Sequence, residues 1–263
     1  MLDSLVIFAG GLGTRISEES HLVPKPFIEL RNKACILHLM DYYASFGVTN
    51  FVVLAGYKSS YVRQYFSNLS FLEGDFLFEN ENSSCLNSNK VSRSSWKIEV
   101  LDTGLTTKTS KRFSQLKRSK LISRKKSFFL TYGDGLSDID INSLYEFHTK
   151  QNTLCTLSAV RPPPRFGSLT IGDDSKVVVF NEKSKLDERL INGGFFVCSS
   201  AMITMAEKFG DVMFEEALLP DLASKMELSA FYHDGFWQPM DAMRDKIYLE
   251  SLIDNNEAPW VVN

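Results

Sequence analysis

The run Ser4–Ala9 passes without a break into Gly10-Gly11-Leu12-Gly13-Thr14-Arg15, and that join constrains the chain more than any other feature. A short apolar strand ending in glycines exposes backbone N–H groups at its carboxyl end, where they can cradle phosphate oxygens. Arg15, and Lys25 within Pro24-Lys25-Pro26, add fixed positive charge on a spacing that a surface loop can fold back to deliver. Such a loop suits a polyphosphate arriving as its metal salt. Two better-known glycine loops are excluded. The dinucleotide fingerprint needs a third glycine where this chain has Ile16, and it opens a helix directly, whereas polar Ser17-Glu18-Glu19-Ser20-His21 leads here to Pro24. The P-loop needs Gly-Lys-Ser/Thr where this chain has Gly13-Thr14-Arg15. A plain tight turn is the alternative that the segment itself leaves open.

The residues that follow alternate between two periodicities. Cys35–Phe46 carries Ile36, Leu39, Met40 and Tyr43 on one helical stripe; Asn50–Ala55 is a buried strand ended by Gly56; Ser59–Phe66 is a second helix. Ser127–Tyr132 is a further buried strand, stopping at Gly133-Asp134-Gly135, and Asn142–Lys150 is a helix with Leu144, Tyr145 and His148 facing inward. Strands alternating with helices imply crossover connections and a parallel sheet covered on both faces. Beyond residue 153 the rhythm changes to short strands, at Thr153–Val160, Gly167–Ile171, Lys176–Asn181 and Ile191–Cys198, which are expected to add mixed or antiparallel strands to the same sheet. Helices return at Ser200–Lys208, Phe214–Lys225 and Ala242–Leu252, and residues 80–95 form a polar loop or insert. The expectation is one α/β domain over residues 1–263 with a small added β subdomain.

Composition narrows the partners. The 263 residues are 44% hydrophobic and 23% charged with a net charge of −3, which offers no overall basic field for nucleic acid. One basic stretch exists, Lys108, Lys111, Arg112, Lys117, Arg118, Lys120, Arg124, Lys125 and Lys126, and it is read as a solvated loop and helix face in preference to an anion site. The 4 cysteines are scattered and form no Cys-x-x-Cys pair, and the 4 histidines have no metal-ligand spacing, so a reducing cytoplasmic setting is expected. The sequence holds no membrane-length apolar run and no basic leader, so no membrane partner is expected.

Two acidic positions stand out. Asp134, between glycines at the end of an apolar strand, suits a hard cation facing a triphosphate, or else caps its own turn. Asp241, in Phe236-Trp237-Gln238-Pro239-Met240-Asp241, precedes the last helix and is either its N-cap, a metal ligand, or both.

Taken together, Ala9–Arg15 with Ser17-Glu18-Glu19, Pro24-Lys25-Pro26, Val100-Leu101-Asp102-Thr103-Gly104, Thr131-Tyr132-Gly133-Asp134-Gly135, Arg165-Phe166-Gly167, Glu182-Lys183, Ile191–Val197, Phe236–Asp241 and Arg244-Asp245-Lys246 resemble the sugar-1-phosphate nucleotidyltransferases. They run in family order along nearly the whole chain, and Ser17-Glu18-Glu19 with Gly235–Pro239 resemble the cytidylyl branch. The resemblance implies a Rossmann-like, mostly parallel mixed sheet flanked by helices. It also implies transfer of a cytidylyl group from CTP to a sugar 1-phosphate, glucose 1-phosphate being favoured, with CDP-glucose and pyrophosphate as products. In the roles it implies, Gly10, Gly11, Gly13, Thr14, Arg15 and Lys25 hold the CTP phosphates, with Arg15, Lys25 and Asp134 at the reacting centre. Asp134 and Asp241 hold Mg²⁺, while Lys183, Glu182, Asn192 and Gly133 meet the sugar phosphate. The family's members are oligomers, so a homo-oligomer is implied, with residues 1–150 serving the nucleotide and 151–263 the sugar phosphate and oligomerisation. The chain departs from the pattern at Ser110-Lys111-Arg112, where Gly-Gly-Arg is expected, and at Pro163-Pro164-Arg165, where Pro-Gly-Arg is expected; both departures bear on the sugar. Other acceptors, or a nucleotide-sugar sensor without turnover, are the alternatives.

Overall fold

The computed structural model describes residues 2–11, 13, 16, 21–69, 74–79, 82–88, 95–163, 168–181 and 189–262. In chain order the strands are β1 (Ser4–Ala9), β2 (Glu29–Leu30), β3 (Lys33–Ala34), β4 (Asn50–Ala55), β5 (Gly74–Glu79), β6 (Asn82–Ser88), β7 (Lys97–Asp102), β8 (Ser127–Tyr132), β9 (Gly135–Ser137), β10 (Cys155–Val160), β11 (Ser168–Ile171), β12 (Val177–Asn181), β13 (Ile191–Ser199), β14 (Leu228–His233) and β15 (Trp237–Pro239). The helices are α1 (Cys35–Ser45), α2 (Ser59–Ser67), α3 (Thr109–Ser114), α4 (Ile141–Gln151), α5 (Ala201–Phe209), α6 (Leu218–Ser224) and α7 (Met243–Asp254). A seven-stranded sheet in the order β14-β10-β13-β8-β1-β4-β7 forms the centre. β1 pairs in parallel with β4 and β8, β4 with β7, and β10 with β14, while β13 runs antiparallel to its neighbours β10 and β8. The sheet is therefore mixed and mostly parallel, flanked by helices, as the strand–helix alternation implied.

Alternation along the strands divides the core into two layers. Leu5, Ile7, Phe51, Val53, Phe129, Phe195 and Val197 face one way, onto Ile36, Leu39, Met40 and Tyr43 of α1. Val6, Phe8, Val52, Leu54, Phe128, Leu130 and Phe196 face the other way, onto Phe113, Met202, Ile203, Phe214 and Leu218. Strands buried on both faces must be apolar at nearly every position, which is why β1, β4 and β8 are so easily read from the sequence.

Several expectations require correction. β11 and β12 pair only with each other in a separate two-stranded hairpin and add nothing to the central sheet. Within the segment expected to be polar loop, Asn82–Ser88 is a strand paired with Gly74–Glu79, because backbone pairing needs no apolar side chains. The helix expected from Phe214 begins only at Leu218. Lys97–Asp102, Leu228–His233 and the short pair β9–β15 are strands not anticipated at all. Among the described residues no helix is long and apolar enough to cross a membrane.

Candidate active site

The carboxyl ends of β1, β4, β7 and β8 lie side by side; β1, β4 and β8 pass directly into Gly10, Gly56 and Gly133, and β7 reaches Gly104 after Thr103. That is the edge at which parallel sheets of this kind bind ligands. At Gly11 an added Cβ would meet nothing within 4 Å, so this glycine borders open space. Gly13 has φ +66°, a conformation that glycine adopts without strain.

Lys25 reaches this edge through a rigid connection. Pro24 and Pro26 bracket it, residues 25–27 form one short 3₁₀ turn, and a Cβ on Gly133 would approach the Pro26 ring to 2.9 Å and the Phe8 carbonyl oxygen to 3.2 Å. Only glycine lets the Pro-Lys-Pro turn pack so closely on the end of β8. The Lys25 Nζ then stands 2.6 Å from Asp134 Oδ2 and 2.8 Å from Asp241 Oδ1. Burial alone would lower the Lys25 pKa, but the attraction and hydrogen bonds of Asp134 and Asp241 outweigh it, and the net direction is upward.

Asp241 arrives from the far end of the chain by strand pairing. β15 runs antiparallel to β9, with Pro239 opposite Gly135, and the Met240 N–H donates to the Asp134 carbonyl at 2.8 Å. The cap position that Asp241 was one candidate for is filled by its neighbour. The Asp245 carboxylate accepts the backbone N–H groups of Asp241 and Ala242 at 3.0 and 2.8 Å, so Asp245 caps α7 and the Asp241 side chain turns to Lys25.

The basic stretch holds a residue whose surroundings were misread. Arg112, in α3, is only 4% exposed. Its guanidinium donates to the carbonyls of Gly10 (2.9 Å), Ala55 (3.2 Å) and Leu105 (3.3 Å) and to Thr103 Oγ1 (2.5 Å), tying the ends of β1, β4 and β7 together. Cβ atoms on Gly10 and Gly56 would fall 2.2 and 2.0 Å from this guanidinium, so both glycines make room for it. An arginine does stand at the end of the expected Gly-Gly-Arg segment, but that match carried no sign that the residue is buried.

On the β13 side, Asn192 Oδ1 accepts the Gly194 N–H at 2.9 Å, and the Trp237 indole N–H donates to the Gly193 carbonyl at 2.6 Å. Gly194 has φ +79°, and a Cβ there would press to 2.6 Å on the Tyr132 ring. The Tyr132 hydroxyl donates to Glu215, which also accepts from Thr109 at 3.0 Å. Burial first, and the Glu215 charge second, push the Tyr132 phenol well above its usual range. No pattern in the residues around Tyr132 or Glu215 couples the two. Lys25, Asp134, Asp241, Gly10, Gly11 and Gly133 are thus gathered at one edge. Thr14, Arg15, Glu182 and Lys183, together with Ser17-Glu18-Glu19 and Arg165-Phe166-Gly167, lie outside the described residues.

Residues 4–241 match the nucleotidyl transferase family. The chain belongs to that family. It is 39% identical over 97% of both chains to a glucose-1-phosphate cytidylyltransferase of Salmonella typhi, and 32% identical over 98% of both to a probable glucose-1-phosphate cytidylyltransferase of Bacillus subtilis. The fold of this nucleotidyltransferase is shared with HddC from Yersinia pseudotuberculosis, at TM-score 0.67 and 21% identity over 96% of this chain and 100% of that one. A UDP-glucose pyrophosphorylase complexed with UDP-glucose superposes at TM-score 0.68 and 14% identity, covering 97% of this chain and 100% of the other.

Proposed function

We propose that the chain transfers a cytidylyl group from CTP to a sugar 1-phosphate, glucose 1-phosphate first among candidates, releasing pyrophosphate and CDP-glucose. The observation that carries the chemistry is the convergence of Lys25, Asp134 and Asp241 beside Gly10-Gly11 at the strand ends. The choice of CTP and glucose 1-phosphate rests on the 39% identical relative over 97% of both chains.

The reaction is an in-line displacement at the α-phosphorus. A sugar-phosphate oxygen forms the new P–O bond while the bond to the β-phosphate oxygen breaks, and the electron pair leaves with pyrophosphate. The nucleophile is already an anion, so no side chain has to remove a proton. The obstacle is the approach of two polyanions, and the chain's cations offset it. Lys25 and Arg15 serve the triphosphate together with the backbone N–H groups of Gly10, Gly11, Gly13 and Thr14. Lys183 serves the sugar phosphate, with Glu182, Asn192 and Gly133 near its hydroxyls. Asp134 and Asp241 fit a hard divalent cation such as Mg²⁺, because two carboxylates converge on one positive centre. No group of three or more ligating side chains occurs among the described residues, so triphosphate oxygens and water would complete the coordination. When bound, Mg²⁺ neutralises charge on the triphosphate and the leaving pyrophosphate.

The chain works as a homo-oligomer in the cytoplasm. The β11–β12 hairpin supports self-association: Val177, Val178, Val179 and Phe180 are consecutive and all exposed, Phe180 at 63%, a pattern typical of surface awaiting cover. Pyrophosphate release, measured for four nucleoside triphosphates against a panel of sugar 1-phosphates, tests the assignment. Selective turnover of CTP with glucose 1-phosphate is expected; equal turnover of UTP or dTTP would refute the nucleotide half, and turnover confined to another sugar would refute the other.

A further inference from the structure

The Lys25 ammonium is within ion-pair distance of both carboxylates assigned to the metal, 2.6 Å from Asp134 and 2.8 Å from Asp241. The three side chains are half-buried, at 12% exposure for the lysine and 27% and 21% for the aspartates, so solvent screens the pairing only partly. A divalent ion and an ammonium on the same carboxylate pair would repel each other at close range, and two carboxylates cannot neutralise three positive charges. We propose that Lys25 is the resident counter-cation of the Asp134–Asp241 pair, and that divalent metal takes the pair only once a nucleotide polyphosphate draws the ammonium away. This rests on reading Asp134 and Asp241 as the metal-holding pair.

The lysine is built for an exchange of partners. Its backbone is fixed by Pro24, Pro26 and the packing of Pro26 on Gly133, while its head is a compact point charge on a four-carbon stem. A triphosphate held at Gly10-Gly11 offers that head new anionic partners from the same root position. The carboxylates are then released to a cation that also takes phosphate oxygens. Nucleotide and metal binding are consequently coupled, and the coupling is reciprocal: each tightens the other by the same factor. The device offsets half the charge of the pair and keeps its geometry assembled before substrate arrives, and it disfavours metal without nucleotide.

Mn²⁺ binding followed by the electron paramagnetic resonance of the free ion reads this directly, without turnover. In the absence of nucleotide, Lys25→Met should bind one Mn²⁺ on the order of tenfold more tightly than wild type. Adding Asp134→Asn or Asp241→Asn to that variant should remove the gain. Measured against Mn²⁺ with α,β-methylene CTP alone, which itself holds the ion, wild type saturated with that analogue should retain Mn²⁺ more tightly than the analogue does by itself, and Asp134→Asn should not. Equal Mn²⁺ binding by Lys25→Met and wild type without nucleotide overturns the exchange. The metal assignment still stands in that case if nucleotide-dependent binding by wild type is lost in Asp134→Asn. A gain in Lys25→Met that survives Asp134→Asn overturns the exchange too, since the new site then lies elsewhere. Should Lys25→Met not fold, wild type alone decides. Tight Mn²⁺ binding without nucleotide that Asp134→Asn abolishes refutes the proposal, and binding no tighter than that of Asp134→Asn supports it.

Discussion

Arg112 is a cation held by dipoles. Among the described residues its hydrogen bonds all go to neutral acceptors, three backbone carbonyls and one hydroxyl. Burial lowers its pKa more than Asp211 and Asp102 raise it, yet a guanidinium stays charged at any working pH. Its positive charge therefore sits permanently beneath Gly10, the first glycine after β1. Replacement by lysine keeps the charge but loses the planar fork, leaving some of the carbonyls of Gly10, Ala55 and Leu105 unpaired. Arg112→Lys should lower the unfolding free energy by on the order of 2 kcal/mol in urea titrations. A loss below about 0.5 kcal/mol, the range of ordinary surface changes, would show that the guanidinium does not hold the strand ends. His148 gives a second test at this scale. It is buried with Nδ1 2.8 Å from Thr156 Oγ1, and burial lowers its pKa. The folded state thus resists a proton that the unfolded chain accepts near the ordinary pKa of about 6.5. Its contribution is constant above that pH and is lost as the pH falls below it. His148→Gln should flatten the decline in stability between about pH 6.5 and 5, measured by urea unfolding at each pH; an unchanged slope would place the acid sensitivity elsewhere.

At the scale of elements, what could be read from the sequence follows burial. β1, β4 and β8 are enclosed on both faces and therefore carry uninterrupted apolar runs, and their bounds match the expected ones residue for residue. β7 and β14 are the outermost strands of the sheet and are half-exposed, so their sequences mix polar with apolar residues and carry little signal. β9 and β15 are three residues each, too short for any periodicity. That pair is what brings Asp241 to Asp134, so the two carboxylates could be named separately while their meeting could not be deduced. Arg112 escaped because a run of neighbouring lysines hid it; nothing local distinguishes a buried arginine within an otherwise solvated basic helix. The β11–β12 hairpin was expected as strands but assigned to the wrong sheet, since strand periodicity does not say which edge a strand joins. Its exposed apolar side chains bear on assembly. Replacing Val178, 66% exposed, by lysine together with Phe180→Ser should leave the fold intact and shift the protein to smaller species in light scattering after size exclusion. An unchanged mass would remove the hairpin from the interface.

Across the whole molecule, the site exists only when the two ends of the chain meet. Lys25 and Asp241 are 216 positions apart, and α7 is held to the start of the chain by Arg31, which pairs with Asp254 and Glu250. Trp260, 1% exposed, stacks on Phe236 at 5.1 Å between ring centroids and presents an edge-on contact to His38, fastening the segment that carries β15 onto the layer formed by α1. The path from Gln238 to Asp245 thus does two jobs with two carboxylates four positions apart. Asp245 accepts the backbone N–H groups at the start of α7, whereas Asp241 faces Lys25 across the cleft. The division predicts opposite phenotypes. Asp245→Ala removes a cap and should cost about 1 kcal/mol of stability while retaining most turnover at a temperature where the protein is folded. Asp241→Asn leaves the cap in place and takes away one of two like charges gathered around a single ammonium, so its melting temperature should stay within a few degrees of wild type. Its turnover should nevertheless fall by at least about a hundredfold at saturating Mg²⁺, the scale of one lost electrostatic contact at a reacting phosphoryl group. Calorimetry and pyrophosphate release on the same preparations separate the two. If Asp241→Asn proves active with an unchanged Mg²⁺ requirement, the convergence of the two chain ends serves only the fold.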